Sequence, residues 1–254
     1  MGRVTNGEDK DFEQFERFLD KWSRRDFLKR TGGAAAYVAF MAGGLELLEA
    51  CASGPTQTSE TPKKGGHVIE GNFSDIRTLN SMLSSDTASN QVIGLMFDGL
   101  LNVKKNGDLI GALAQGVPTI SADGLTYTFK LRPNVKWSDG QALTADDVIF
   151  TYALAYDPKY ADVSSPRRGD LSKYIASMTA PDPQTVVIKT SEVFAPFLGS
   201  HAEYGILPKH VLGSMSAKEI NTADFNTAPS VVNGPFKFVK WDKGQQVTLA
   251  RNDS

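Results

Sequence analysis

The chain has 254 residues, with 27 Lys and Arg against 29 Asp and Glu, a formal net charge of −2 and 41% hydrophobic residues. This ordinary globular composition, with its near balance of charge, excludes the overall cationic field of a nucleic-acid-binding protein. A single cysteine (Cys51) excludes an internal disulfide framework, and three scattered histidines (His67, His201, His210) do not indicate a metal enzyme.

Residues 1–50 have the layout of an export signal with an N-terminal extension. The segment 23–29 reads Ser-Arg-Arg-Asp-Phe-Leu-Lys, and an uncharged run of about 14 residues follows at 32–45. That run is shorter than the roughly 20 residues of a spanning helix. The segment resembles a twin-arginine signal, with Arg24 and Arg25 as the arginine pair, which implies export of the folded protein by the twin-arginine translocase. The alternative is a basic helix end that carries two arginines by chance.

Cys51 stands where a bacterial lipoprotein is cleaved and lipidated. Leu48 and Ala50 suit that motif, whereas Glu49 is unusual at its position. The stretch 51–64 contains two prolines and lacks large apolar residues, which is typical of a flexible tether. These features favour a lipid anchor on Cys51 over an ordinary small residue near a cleavage site.

The rest of the chain mixes strand and helix patterns. Residues 125–131 alternate apolar and polar side chains, which predicts a half-buried strand. Asp86 precedes one amphipathic helix, and Thr144, followed by Asp146 and Asp147, begins another that ends near Pro158. Further strands are predicted at 67–71, 185–189, 236–241 and 246–250. Because no regular βαβ alternation occurs, the fold class is α+β or irregular α/β.

Motifs of catalysis and cofactor binding are missing from the sequence. It contains no phosphate-binding or dinucleotide-binding glycine loop, no nucleophile elbow and no zinc-protease motif. Asp139, Asp146 and Asp147 are interpreted as one turn and one helix cap rather than as a cation site. His201 and His210 are expected at the surface or between lobes, and Trp137 is a core candidate. We therefore expect neither an enzyme nor a cofactor or metal site.

Several segments occur together in an order that resembles the family 5 extracellular solute-binding proteins, the peptide-binding components of ABC importers. The resemblance runs from about Gly65 to the last residue, and its most specific block is 137–148. Residues 115–118 depart from the family pattern. The segments include Phe97-Asp98-Gly99-Leu100, Asp123-Gly124-Leu125-Thr126-Tyr127, Trp137-Ser138-Asp139-Gly140, Ala195-Pro196-Phe197, Ile206-Leu207-Pro208-Lys209-His210 and Asn233-Gly234-Pro235-Phe236.

The resemblance implies a type II periplasmic-binding-protein fold, in which two lobes close on a ligand like a clam. Residues 65–97 and 209–254 would form the first lobe, and 98–208 a subdomain inserted into it. Family members are roughly twice as long as this chain. We therefore expect the chain to contain the N-terminal half, truncated before the second lobe.

The resemblance also implies a binding segment, Ser85, Asp86, Thr87 and Ala88, that pairs its main chain with an extended peptide. The alternative is that Asp86 and Thr87 only cap the following helix, and both can hold because a cap uses side chains. Asn233 and Gly234 match the stretch near the crossing between lobes, where glycine permits a close backbone approach.

The implied function is capture of peptides for an ABC permease, by a monomer in the periplasm or on the outer face of the cytoplasmic membrane. Nickel, haem or a sugar is the alternative ligand, and a non-functional fragment is the alternative to a binding protein. A single lobe leaves one side of the peptide in water, so we expect millimolar binding or none from the chain alone.

Overall fold

A computed structural model describes residues 65–253 of the chain. The expectations for Arg24, Arg25, Cys51 and the tether 51–64 lie outside the described residues. Within residues 65–253, no helix has the length and apolar character needed to cross a membrane.

Helices and antiparallel strands are mixed along the chain, which confirms the α+β class. The helices are α1 Thr87–Met96, α2 Ala145–Tyr156, α3 Arg168–Tyr174, α4 Phe197–His201, α5 Lys209–Leu212 and α6 Ala217–Thr222, with 3₁₀ turns at Pro158–Tyr160 and Asp224–Asn226. The strands are β1 Leu101–Val103, β2 Leu109–Gly111, β3 Thr119–Ile120, β4 Thr126–Lys130, β5 Ile175–Asp182, β6 Thr185–Thr190, β7 Phe236–Asp242 and β8 Gln246–Arg251.

A four-stranded antiparallel sheet, in the order β3-β4-β6-β5, carries the predicted alternating strand as β4. Tyr127 pairs with Ile188 and Phe129 with Val186 across β4 and β6, and all four side chains are buried. Because successive side chains point to opposite faces, these residues form one apolar face. Helix α2 lies against β5 and β6 and covers the sheet. The predictions for 125–131 and 185–189 are confirmed.

Helix α2 begins after Thr144, as predicted, and ends before Pro158. The strongest side-chain bond of its N-terminus comes from Asp147, whose Oδ2 accepts the Thr144 backbone N–H at 2.9 Å. The Thr144 hydroxyl lies 3.4 Å from the same carboxylate oxygen. The indole of Trp137 is fully buried, as expected, and its Nε1 also approaches this oxygen at 3.4 Å. The buried carboxylate of Asp147 thus binds both the start of α2 and the preceding turn.

The strands predicted at 236–241 and 246–250 form the antiparallel hairpin β7–β8. Asp75 holds the hairpin near its turn, because its Oδ1 accepts the Trp241 indole N–H at 3.2 Å and its Oδ2 accepts the Gly244 N–H at 2.7 Å. Helix α1 lies against β7. Residues before α1 and near the end of the described chain therefore meet in one packed region.

Two sequence expectations are wrong. The strand predicted at 67–71 does not form, because its apolar residues find no neighbouring strand among the described residues: Val68 is 94% exposed and Ile69 89%. His201 is buried among residues 174–204 instead of lying at the surface or between lobes. Its ring lies among the rings of Phe194, Phe197 and Tyr204, and its Nδ1 lies 3.2 Å from the Tyr204 hydroxyl.

Candidate ligand-binding site

The predicted binding segment, Ser85–Ala88, is the entry to α1. Ser85 and Thr87 are exposed, Asp86 is half-buried and Ala88 is buried. Asp86 has an extended backbone, with φ −113° and ψ 151°, and it is the N-cap of the helix. Its Oδ1 accepts the Ser89 backbone N–H at 2.8 Å, and its Oδ2 accepts the Ser89 hydroxyl at 2.9 Å. The capping interpretation of Asp86 is confirmed, while Thr87 is the first residue of the helix.

The cap leaves main-chain donors of the segment available. Within residues 65–253, no hydrogen bond is made by the N–H groups of Ser85, Thr87 or Ala88. The first N–H groups of a helix have no partner within the helix and point outward from its N-terminal end. The cap uses the side chain of Asp86, and the backbone N–H groups of Ser85, Thr87 and Ala88 remain without a partner in the described residues. Capping and main-chain pairing with a ligand are therefore compatible at this segment.

Asn233 and Gly234 lie directly on the end of α1. The Asn233 Oδ1 accepts the Asp98 N–H at 2.9 Å, and the Gly234 N–H donates to the Met96 carbonyl at 2.8 Å. A Cβ on Gly234 would lie 2.6 Å from the Met96 carbonyl carbon, closer than real contacts allow. Glycine therefore permits this close approach of two chain segments. The expectation that the same residues lie near the crossing between lobes stays a prediction.

Two carboxyl groups near this crossing were not singled out in the sequence as candidates. Burial raises the pKa of Asp98, and burial also raises the pKa of Glu203. In the described part of the chain, neither carboxylate has an ion-pair or hydrogen-bond partner. The backbone of Glu203 touches Gly99, which follows Asp98. The sequence signal for Asp98 is its place in the segment Phe97-Asp98-Gly99-Leu100, whereas Glu203 lies outside every segment that carries the resemblance.

An open cleft of about 350 Å³ lies elsewhere, at the start of α2 and against α5. An ion pair between Lys209 and Asp146 and a hydrogen bond between His210 Nε2 and Asp139 Oδ2 border it, each at 2.9 Å. Burial raises the pKa of Asp139, but the Gln141 N–H and His210 lower it, and the net pKa lies below the usual carboxyl range. None of the residues 85–88 borders this cleft.

The three aspartates near this cleft serve separate purposes. Asp139 accepts the Gln141 N–H within its turn and contacts His210. Asp146 and Asp147 lie in the first turn of α2, where Asp146 pairs with Lys209 and Asp147 accepts the Thr144 N–H, so the turn and the helix cap are both observed. Among residues 65–253, no group of three or more His, Cys, Asp or Glu side chains is placed to hold a metal ion.

The relatives of this chain include oligopeptide-binding proteins. The oligopeptide-binding protein AppA of Bacillus subtilis is 29% identical over 213 residues, which are 81% of this chain and 38% of AppA. Protein XP55 of Streptomyces lividans is 35% identical over 240 residues, 91% of this chain and 40% of XP55. The chain thus spans about two fifths of the length of these relatives.

Solved structures with the same fold carry different ligands. AppA of Bacillus subtilis, in complex with a nonapeptide, aligns with a TM-score of 0.67 and 28% identity over 72% of this chain and 35% of AppA. NikZ of Campylobacter jejuni, in complex with Ni(L-His), aligns with a TM-score of 0.61 and 35% identity over 70% of this chain and 34% of NikZ. The type II periplasmic-binding-protein fold expected from the sequence is thereby confirmed for the part of these proteins that the chain spans.

The sequence profile described as bacterial extracellular solute-binding proteins, family 5, middle region, matches residues 108–254. The match covers more than half of the chain. It includes the sheet β3-β4-β6-β5, the capped helix α2 and the Asn233-Gly234 crossing described above. The chain therefore belongs to the family 5 bacterial extracellular solute-binding proteins.

Proposed function

We propose that this chain provides one side of the binding site of a peptide-capturing protein that serves an ABC importer, and that it is not an enzyme. The observation that carries the proposal is the segment Ser85–Ala88, which is held in place by its side chains and keeps main-chain N–H groups open. The similarity to a relative solved with a bound nonapeptide supports it.

The proposed mechanism is strand addition, in which the backbone of an extended peptide pairs with Ser85–Ala88. Such pairing involves the peptide bond rather than the side chains, so ligands of many sequences are accepted. Each hydrogen bond contributes only about 1 kcal/mol net. Association costs at least several kcal/mol, so this surface alone binds in the millimolar range. Micromolar binding requires burial of the peptide from a second side.

The domain boundaries belong to the same proposal. Residues 98–208 form the inserted subdomain, and 65–97 with 209–254 form the first lobe. The sheet β3-β4-β6-β5 and helices α2 and α3 all fall within 98–208, while α1 and the hairpin β7–β8 fall outside it. The contact of α1 with β7 supports the grouping of the two outer segments.

Export and delivery complete the proposal. Arg24 and Arg25 direct the folded chain to the twin-arginine translocase, and a lipid on Cys51 holds it at the outer face of the cytoplasmic membrane. From there, the monomer passes peptides to an ABC permease. The sequence pattern of residues 23–64 supports this route.

A second candidate ligand is a nickel complex, because the relative NikZ was solved with Ni(L-His). The two ligands are distinguished by titrating the isotopically labelled chain and following its backbone amides by NMR. We expect tetra-alanine to shift the amides of 85–88 with millimolar affinity and Ni(L-His) to leave them unchanged. Shifts of these amides with Ni(L-His) alone would contradict the peptide proposal and favour the second candidate.

A further inference from the structure

The turn that leads into Ser85–Ala88 is held by residues from distant parts of the chain. Its own bonds centre on Asn80, whose carbonyl accepts the N–H groups of Leu83 and Ser84 at 3.1 and 3.0 Å. From outside the turn, the Ser165 hydroxyl donates to the Met82 carbonyl at 2.7 Å. The conformation of this turn therefore depends on the loop that precedes α3.

Arg167 is the residue of that loop that reaches both sides of the binding segment. Its Nε donates to the Ser81 carbonyl at 2.8 Å, four residues before Ser85. Its Nη2 lies 3.4 Å from the Asn90 Oδ1, two residues after Ala88. The guanidinium also stacks on the Tyr204 ring, with Cζ 3.9 Å from the ring centroid, which fixes its plane. The planar guanidinium of Arg167 thus contacts residues on both sides of Ser85–Ala88.

We infer that Arg167 is a positioning residue for ligand binding, which sets the geometry of Ser85–Ala88 without touching the peptide; the inference rests on the proposed function. Main-chain pairing needs N–H and C=O groups held in register before the ligand arrives. Ordering a loose segment on binding costs conformational entropy and weakens affinity. Because a lysine has one compact ammonium in place of the planar fork, it cannot make both flanking contacts.

Arg168 offers a matched control in the neighbouring position. Its Nη2 donates to the carbonyls of Leu154 in α2 and of Tyr160 and Val163 in the segment that follows α2. It has the same charge and also donates to backbone carbonyls, but within residues 65–253 it makes no hydrogen bond to the turn 80–84 or to α1. Substitution of either arginine lowers the overall stability of the fold. Only substitution of Arg167 is expected to loosen the binding segment Ser85–Ala88 in particular.

The test compares Arg167→Gln, Arg167→Lys and Arg168→Gln in the full chain, at a temperature where unfolding curves show each variant to be folded. Hydrogen exchange of the Ser84 and Ser89 amides, which bracket the segment, is measured by NMR without ligand. Tetra-alanine is then titrated against the 85–88 amides. We expect both Arg167 variants to speed exchange at these two amides about tenfold and to weaken tetra-alanine binding about fivefold. Arg168→Gln is expected to lower stability and to change neither quantity.

The possible outcomes distinguish the positioning role of Arg167 from the proposed peptide-binding function. If wild-type 85–88 amides respond to tetra-alanine while the Arg167 variants exchange and bind like wild type, the positioning role is wrong and the proposed function stands. If Arg168→Gln changes amide exchange and tetra-alanine affinity as much as the Arg167 variants do, Arg167 only stabilises the fold in general, and the inference is also overturned. If wild-type 85–88 amides do not respond to tetra-alanine, the proposed function fails and the inference fails with it.

Discussion

The carboxylate of Asp147 joins two helices: its Oδ1 accepts the backbone N–H of Lys209, 62 residues further along the chain at the start of α5, at 2.9 Å. Its Oδ2 accepts the Thr144 N–H at the start of α2. The side chain is buried, with 5% exposure. A buried charge is tolerated where several donors surround it, so this aspartate is a structural junction within the most specific block of the sequence resemblance.

Asp147→Ala is expected to destabilise the chain by about 3 kcal/mol, because it leaves the N–H groups of Thr144 and Lys209 without an acceptor. Thr144→Ala is expected to cost less than about 1 kcal/mol, since the main cap bond uses the backbone of residue 144. Urea unfolding measures both. Asp146→Ala, which breaks an exposed ion pair, is the control and should cost at most about 1 kcal/mol. Equal costs for Thr144→Ala and Asp147→Ala would contradict this assignment.

Substitution by alanine is expected to have opposite effects on stability at Gly234 and at Gly94. Gly234→Ala places a Cβ 2.6 Å from the Met96 carbonyl carbon and should destabilise the chain by about 2 kcal/mol. Gly94 lies in α1 with nothing within 4 Å of its Cβ position, so Gly94→Ala should stabilise by up to about 1 kcal/mol. Thermal unfolding of the two variants is the measurement. A neutral Gly234→Ala would show that the crossing over α1 is looser than described.

The arginine pair predicts the export route. Replacing Arg24 and Arg25 together by lysine keeps the charge and removes both guanidinium groups, which a twin-arginine translocase recognises. We expect the double variant to accumulate in the cytoplasm, measured by cell fractionation and immunoblotting against a cytoplasmic marker. Export at the wild-type level would exclude the twin-arginine route.

Cys51 predicts the anchor. Cys51→Ser removes the thiol that would carry the lipid, and we expect the exported protein to move from the membrane fraction to the soluble fraction. Ala52→Ser is a control that alters a neighbouring residue and keeps the thiol. A Cys51→Ser protein that remains in the membrane fraction would indicate that Glu49 prevents lipidation and that membrane binding has another origin.

Local patterns in the sequence were sufficient for the elements that carry strong periodicity or capping signals. Strand β4 alternates cleanly, and the segment 144–147 marks the start of α2. Strand β5 was missed because its burial pattern does not alternate and its register against β6 shifts twice. The strand predicted at 67–71 failed for the converse reason, since an apolar run forms a strand only beside a partner.

The candidate site was only partly accessible to sequence reasoning. The cap at Asp86 follows from residues that are three apart, and the close approach at Gly234 follows from the backbone freedom of glycine. The contacts of Arg167 with Ser81 and Asn90 span 86 and 77 residues, and no local pattern encodes such distances. The burial of His201 likewise depends on rings contributed by separate elements.

The central claim is that Ser85–Ala88 binds the backbone of a peptide. The most direct test compares tetra-alanine with its N-methylated analogue, which keeps the side chains, lacks the amide donors and carries methyl groups that obstruct the close approach of its carbonyls to the open N–H groups of the segment. Both are titrated against the labelled chain by NMR. The account predicts that tetra-alanine shifts the amides of 85–88 with a millimolar Kd and that the N-methylated peptide does not. Equal shifts from both peptides, or shifts confined to the cleft beside His210, would contradict it.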